Sequence, residues 1–189
     1  MVAIRKATKE QAPEIAQLIM MAMTHECCQH FCGEGHGLED FRHMMTMLVE
    51  REDSQYSYKN TIVAMDCDRV AGIAVSYDGS QLHPLRQAFV EMARKWLNKD
   101  HSGMDDETQA GELYLDSLAV LPTHRRQGIA SRLLAAAAER ARELGIPRVG
   151  LLVDKGNPDG ERLYLSAGFR YANDSEWGGH PMKHLVWDF

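Results

Sequence analysis

The sequence lacks any apolar run approaching the roughly 18 residues of a membrane-crossing helix, which argues against such a helix. It also lacks an excess of positive charge. Lys and Arg number 21 against 27 Asp and Glu, a formal net charge of −6, so wholesale nucleic-acid binding is not expected. Cysteine is scarce, with only Cys27, Cys28, Cys32 and Cys67. Their spacing makes no disulfide framework, so reduced thiols in a cytoplasmic protein are expected. The N-terminus, Met1 to Lys6, places its charges after the first apolar residues, and no h-region follows. There is no internal repeat and no low-complexity linker. Neither G-x-x-x-x-G-K-[ST] nor G-x-G-x-x-G occurs, which excludes the common nucleotide-phosphate loops. His25, Cys27, Cys28, His30, Cys32 and His36 crowd one segment without paired C-x-x-C spacing, so no metal site is expected. What is present is ordinary for a globular protein: 189 residues, 44% hydrophobic and 25% charged, enough for one domain over 1–189.

Periodicity orders that domain. Val2–Ala7 is a strand candidate, followed by a capping-box pattern at Thr8 and Gln11 and a helix striped by Ile15, Leu18, Ile19 and Ala22. Glycines at 33, 35 and 37 break it. A second helix covers about Leu38–Glu50. Residues 61–65 and 70–75 form an antiparallel hairpin around the turn Asp66-Cys67-Asp68-Arg69. A helical insert occupies about 83–110. Leu113–Leu121 is a strand, Gln127–Leu144 the strongest helix, stopped by Gly145 and Pro147, and Val149–Val153 a strand apolar on both faces. A short helix over about 160–167 and a last strand over Met182–Asp188 close the chain. Strand–helix–strand over Leu113–Val153 implies a right-handed parallel crossover.

The turn Pro122-Thr123-His124-Arg125-Arg126-Gln127-Gly128 leads into the strong helix. A helix start carries unpaired N–H groups and partial positive charge. Arginines there have the wrong sign unless an anion completes the site. Gly128 and Ala130 leave room for a phosphate to reach the backbone. A solvated basic turn is the competing reading.

The run Arg125-Arg126-Gln127-Gly128-Ile129-Ala130, after a strand and opening a helix, resembles the pyrophosphate loop [RQ]-x-x-G-x-[GA] of the GNAT superfamily of N-acetyltransferases. Leu118–Pro122 resembles the preceding strand, and Ser131–Leu134 the helix start. Asn157, Tyr164 and Ala167-Gly168-Phe169 resemble the family's later N…Y…GF motif. The resemblance implies an α+β, three-layer fold with a mixed, mostly antiparallel sheet and a splayed parallel pair. It implies acetyl-CoA as co-substrate. Backbone N–H groups of Gln127, Gly128, Ile129, Ala130 and Ser131 would hold its pyrophosphate beside Arg125 and Arg126. The backbone of Leu118, Ala119 and Val120 would line its pantetheine arm, with Asn157 touching the arm and Tyr164 as general acid. Residues 25–36 would form a flexible loop facing an amine acceptor.

For the base, strand alternation places Glu112, Tyr114, Asp116, Leu118 and Val120 on one face. Asp116 or Glu112 would accept the proton, directly or through water. The bland reading makes both solvated strand-end carboxylates. The acidic residues Asp105, Asp106, Glu107, Glu112 and Asp116 precede the basic loop, which suggests a cationic acceptor. The expected activity is acetyl transfer from acetyl-CoA to a primary amine of a small molecule, peptide or protein, by direct attack, in a monomer or homodimer without nucleic-acid or membrane partners. A different acyl group, or CoA binding without turnover, are the alternatives.

Overall fold

The computed structural model describes residues 2–189. Its centre is one seven-stranded sheet. The strands are β1 (Ala3–Lys6), β2 (Thr61–Asp66), β3 (Arg69–Asp78), β4 (Leu113–Val120), β5 (Arg148–Asp154), β6 (Arg170–Trp177) and β7 (His180–Asp188), in the spatial order β1-β2-β3-β4-β5-β7-β6. All neighbours pair antiparallel except β4 and β5. β2 and β3 meet at the expected turn, with Asp66 opposite Arg69 and Cys67 at a φ of 50°.

Helices cover both faces. The helices α1 (Ala12–Met23), α2 (His25–Cys32), α3 (Leu38–Glu50) and α4 (Leu82–Leu97) build one core around Ile15, Phe41, Met44, Leu48 and Phe89 against Val63, Ile73 and Val75 of the sheet. On the other face α5 (Ile129–Glu143) buries Leu133, Leu134, Ala138 and Ala141 against Leu113, Leu115, Val149 and Leu151. Side chains of α6 (Pro158–Ser166) join this second core through Leu163 and Tyr164. Both helix groups owe their place to an apolar stripe at helical spacing.

The structure departs from the sequence expectations in four places. First, the Cys/His segment is a helix, not a loop: Thr24 Oγ1 accepts from the Cys27 N–H at 3.4 Å, and Cys28, Phe31 and Cys32 form a buried i, i+3, i+4 face. Second, α5 begins at Ile129, two residues later than its apolar pattern suggests, because Arg126 and Gly128 take left-handed φ values of 62° and 74°. Third, β6 is an additional strand. Its residues Asn173, Asp174 and Ser175 give no apolar alternation because it lies exposed at the sheet edge.

The fourth concerns β4. Val75 pairs with Ser117 while Ser76 pairs with Leu115, which leaves Asp116 as the extra residue of a bulge. Alternation reverses there. Leu113 and Leu115 share the α5-side core with Leu118 and Val120, whereas Tyr114 packs with Tyr77 on the opposite face. The expectation that Glu112, Tyr114, Asp116, Leu118 and Val120 share one face is therefore corrected: Leu118 and Val120 point to the other side. Among the described residues, no helix is long and apolar enough to cross a membrane.

Candidate active site

Two features of the backbone create an opening. The parallel ladder between β4 and β5 holds only at Leu113–Val149 and Tyr114–Gly150. Beyond it the strands diverge, and β5 follows β7 through to Asp154. The β4 edge from Leu115 to Val120 therefore faces β5 without a ladder partner. Unpaired strand groups in such a gap can bond an extended ligand arm strand-fashion. The Asp116 bulge sits where the divergence begins.

The basic turn follows directly. Pro122–His124 is a 3-10 turn, and Arg125 is extended. The Arg125 Nε donates to the Val120 carbonyl at 3.3 Å, and the Gln127 side chain donates to the Thr123 carbonyl at 3.4 Å. Arg132 is the first residue of α5 whose N–H bonds a carbonyl, that of Gly128, at 3.1 Å. The N–H groups of Gln127, Gly128, Ile129, Ala130 and Ser131 find no acceptor among the described residues. Nothing lies within 4 Å of where a Gly128 Cβ would stand. Free donors, an open approach, the α5 dipole and two arginines suit a pyrophosphate.

On the opposite face Asp116 belongs to a polar network that sequence reasoning missed. Gln55 donates through Nε2 to Asp116 Oδ1 and to Glu107 Oε1, both at 3.4 Å. Ser117 Oγ donates to Asp116 Oδ2 at 2.8 Å, and the Tyr77 hydroxyl donates to Glu107 Oε1 at 3.0 Å. The guanidinium of Arg86, on α4, ion-pairs with Glu107 and donates to the carbonyls of Met104 (3.2 Å) and Asp105 (2.8 Å) and to Asp106 Oδ1 (3.3 Å). Burial and the neighbouring Glu107 carboxylate push Asp116 up to about 7. It is not a solvated strand-end carboxylate. Burial and Asp116 also push the Cys27 thiol up to about 11. Gln55, Arg86 and Glu107 lie 61, 30 and 9 positions from Asp116, so no local pattern announces them.

Glu112 is occupied otherwise. Its Oε2 meets His184 Nε2 at 2.8 Å, and its Oε1 accepts from Thr108 Oγ1 at 2.6 Å. His184 Nδ1 lies 3.2 Å from Asn173 Oδ1. Glu112 is 2% exposed and lies over Gly150, where any Cβ would strike its carboxyl group. This chain is at the closed end of the β4–β5 pair, ahead of the bulge.

Tyr164 and Asn157 are both on the α6 segment. Asn157 is the N-cap: its Oδ1 accepts from the Gly160 N–H at 3.0 Å, which leaves its amide donors for another partner. The Tyr164 ring packs edge-on against Phe169 at 5.8 Å. Burial pushes its phenol up to about 12, so it stays protonated near neutrality. No group among the described residues bonds its hydroxyl. Nor does any group of three or more His, Cys, Asp or Glu side chains stand ready to hold a metal ion among them.

Comparison with known proteins places this geometry. The model of the acetyltransferase (GNAT) family matches residues 39–169. Acetyltransferase Atu2258 from Agrobacterium fabrum (strain C58 / ATCC 33970) is 43% identical over 75 residues, which is 38% of this chain and 53% of that protein. The matched stretch thus spans about half the length of that curated relative. A crystal structure of an acetyltransferase superposes with a TM-score of 0.80 at 29% identity, covering 98% of each chain. PaiA N-acetyltransferase from Thermoplasma acidophilum, solved in complex with coenzyme A, shares the fold at a TM-score of 0.60 and 15% identity, over 100% of this chain and 99% of that one. The chain belongs to the acetyltransferase (GNAT) family.

Proposed function

We propose that the protein transfers an acetyl group from acetyl-CoA to a primary amine by direct attack within a ternary complex. The observation that carries this reading is the meeting of three things at one place: the β4–β5 divergence, the open donor loop beyond it, and Asp116 at its mouth. The N–H groups of residues 127–131 and the Arg125 and Arg126 side chains hold the pyrophosphate. The freed backbone of Leu118, Ala119 and Val120 bonds the pantetheine arm, and the Asn157 amide reaches it from α6. Acetyl-CoA brings an activated thioester whose thiolate leaves.

Asp116 accepts the proton of the incoming ammonium. With its midpoint held near 7, it is ionised in part of the molecules at neutral pH and is a fitting base there. The amine nitrogen forms its bond to the acetyl carbon, and the carbon–sulfur bond breaks. Tyr164 gives its proton to the departing sulfur and regains one from the nitrogen, which sheds its second proton as the amide forms. Glu112 is committed to His184 and Thr108, so we assign the base to Asp116 and give Glu112 the task of bracing the closed end of the strand pair. The raised midpoint of Asp116 is of use in catalysis and of none in mere CoA binding, which favours an enzyme over a sensor.

The test is thiol release from acetyl-CoA over a panel of primary amines, with Asp116→Asn and Tyr164→Phe beside the parent. Turnover should rise with pH through about 7 in the parent, because the base works ionised. Asp116→Asn should lose about 100-fold or more and that pH limb with it. Tyr164→Phe should lose kcat rather than gain KM. Parent-like rates in both variants would refute the assignment of these two residues.

A further inference from the structure

The insert between β3 and β4 does more than lengthen the chain. Its helix α4 supplies Arg86, and the segment after it supplies Asp105, Asp106 and Glu107. Arg86 is 6% exposed and Glu107 7% exposed. Burying such a pair is costly and seldom stabilising on balance. Its place beside Asp116 gives it another use.

We propose that Arg86 and Glu107 are positioning residues that set the charge state of Asp116 through the shared amide of Gln55. This rests on the acyl-transfer reading only for its consequence in rate. The geometry is a relay of three side chains. The Gln55 Nε2 bridges the two carboxylates at 3.4 Å each, which links Asp116 to Glu107 through one amide group. On its far side Glu107 meets Arg86 and the Tyr77 hydroxyl. The two terminal nitrogens of Arg86 are held in turn by two backbone carbonyls and Asp106, a set of acceptors that a single lysine ammonium does not reproduce.

Among the described residues, four further titratable groups are coupled to Asp116, and all are neutral near pH 7. Cys27 comes from α2, Tyr56 from the segment before β2, Tyr77 from β3 and Tyr114 from β4 itself. Burial holds all four of them protonated. The charges left to act on Asp116 are those of Glu107 and Arg86. They oppose one another. The Glu107 carboxylate resists ionisation of Asp116, and the Arg86 guanidinium favours it. Raising the base towards neutrality needs Glu107, and keeping it from rising too far needs Arg86.

Two substitutions must therefore move Asp116 in opposite directions. The measurement is NMR titration of the protein with its aspartate carboxyl carbons labelled with 13C, Asp116 being assigned by the signal lost in Asp116→Asn. No amine or CoA is required, so the result stands whether or not turnover is found. Glu107→Gln keeps the size of the side chain and an acceptor for Tyr77. It should lower the Asp116 midpoint by about one pH unit. Arg86→Gln should raise it by a similar amount, and Arg86→Lys, which restores the charge, should return it towards the parent value. An unchanged or raised midpoint in Glu107→Gln overturns the inference, even if Arg86→Gln fails to fold. Shifts of one sign in both glutamine variants would also overturn it, because a purely structural role gives no opposition of sign.

Discussion

Burial beside a second carboxylate makes Asp116 a cost to the fold once the pH lets it ionise. Its folded-state midpoint of about 7 lies above the ordinary 3.8. A group raised in this way supports the fold fully while protonated in both states. That support is lost as the pH rises from about 4 through 7, because the unfolded chain ionises more readily. Asn replaces the carboxyl with a neutral group of the same size. Thermal unfolding should therefore show Asp116→Asn melting at the parent temperature near pH 4, and above the parent by a few degrees at pH 8. A lower melting temperature at pH 8 would mean that the ionised carboxylate is satisfied in the folded state. Gln55 illustrates the limit of reading one residue at a time. Nothing in its neighbours marks it, yet it is 2% exposed and touches both carboxylates of the site.

At the scale of elements, the loop and its helix were readable because their cues are local. The wrong-signed arginines, Gly128 and the apolar stripe of α5 all fall within a short run. The β4 strand was readable as a strand but not in its faces. Alternation presumes an unbroken ladder, and the bulge at Asp116 is a property of the β3–β4 pairing. β6 escaped for a similar reason, since an exposed edge strand needs no apolar face. The Glu112–His184 contact likewise exists only once β7 lies against β5. That contact makes Gly150 a tight point of the sheet, because a Cβ there would displace the Glu112 carboxyl group. Urea unfolding should find Gly150→Ala destabilised by about 1–3 kcal/mol. Adding Glu112→Ala should make the two effects strongly non-additive. Simple additivity would show that Glu112 does not fill the space above Gly150.

Across the whole molecule, the sheet divides the work between its two faces. The α5 face carries the loop of unpaired N–H donors, and the α1–α4 face carries Asp116 with its Gln55–Glu107–Arg86 network. The β4–β5 divergence connects them, since the strand that frees its edge at Leu118–Val120 also bulges at Asp116. The order of elements and the basic turn that opens α5 were legible in the sequence. The network around Asp116 was not, because it is assembled from α4, the segment before β2 and the loop before β4, which meet only in the folded chain. The central claim is that residues 125–131 form the cofactor cradle, and calorimetric titration with acetyl-CoA tests it most directly. Gly128 stands at a φ of 74° with open space around it, so Gly128→Val distorts the cradle without crowding the core. The parent should bind one acetyl-CoA per chain, and Gly128→Val should bind at least about tenfold more weakly while keeping its fold. No binding by the parent, or equal affinity in the two proteins, would contradict the account.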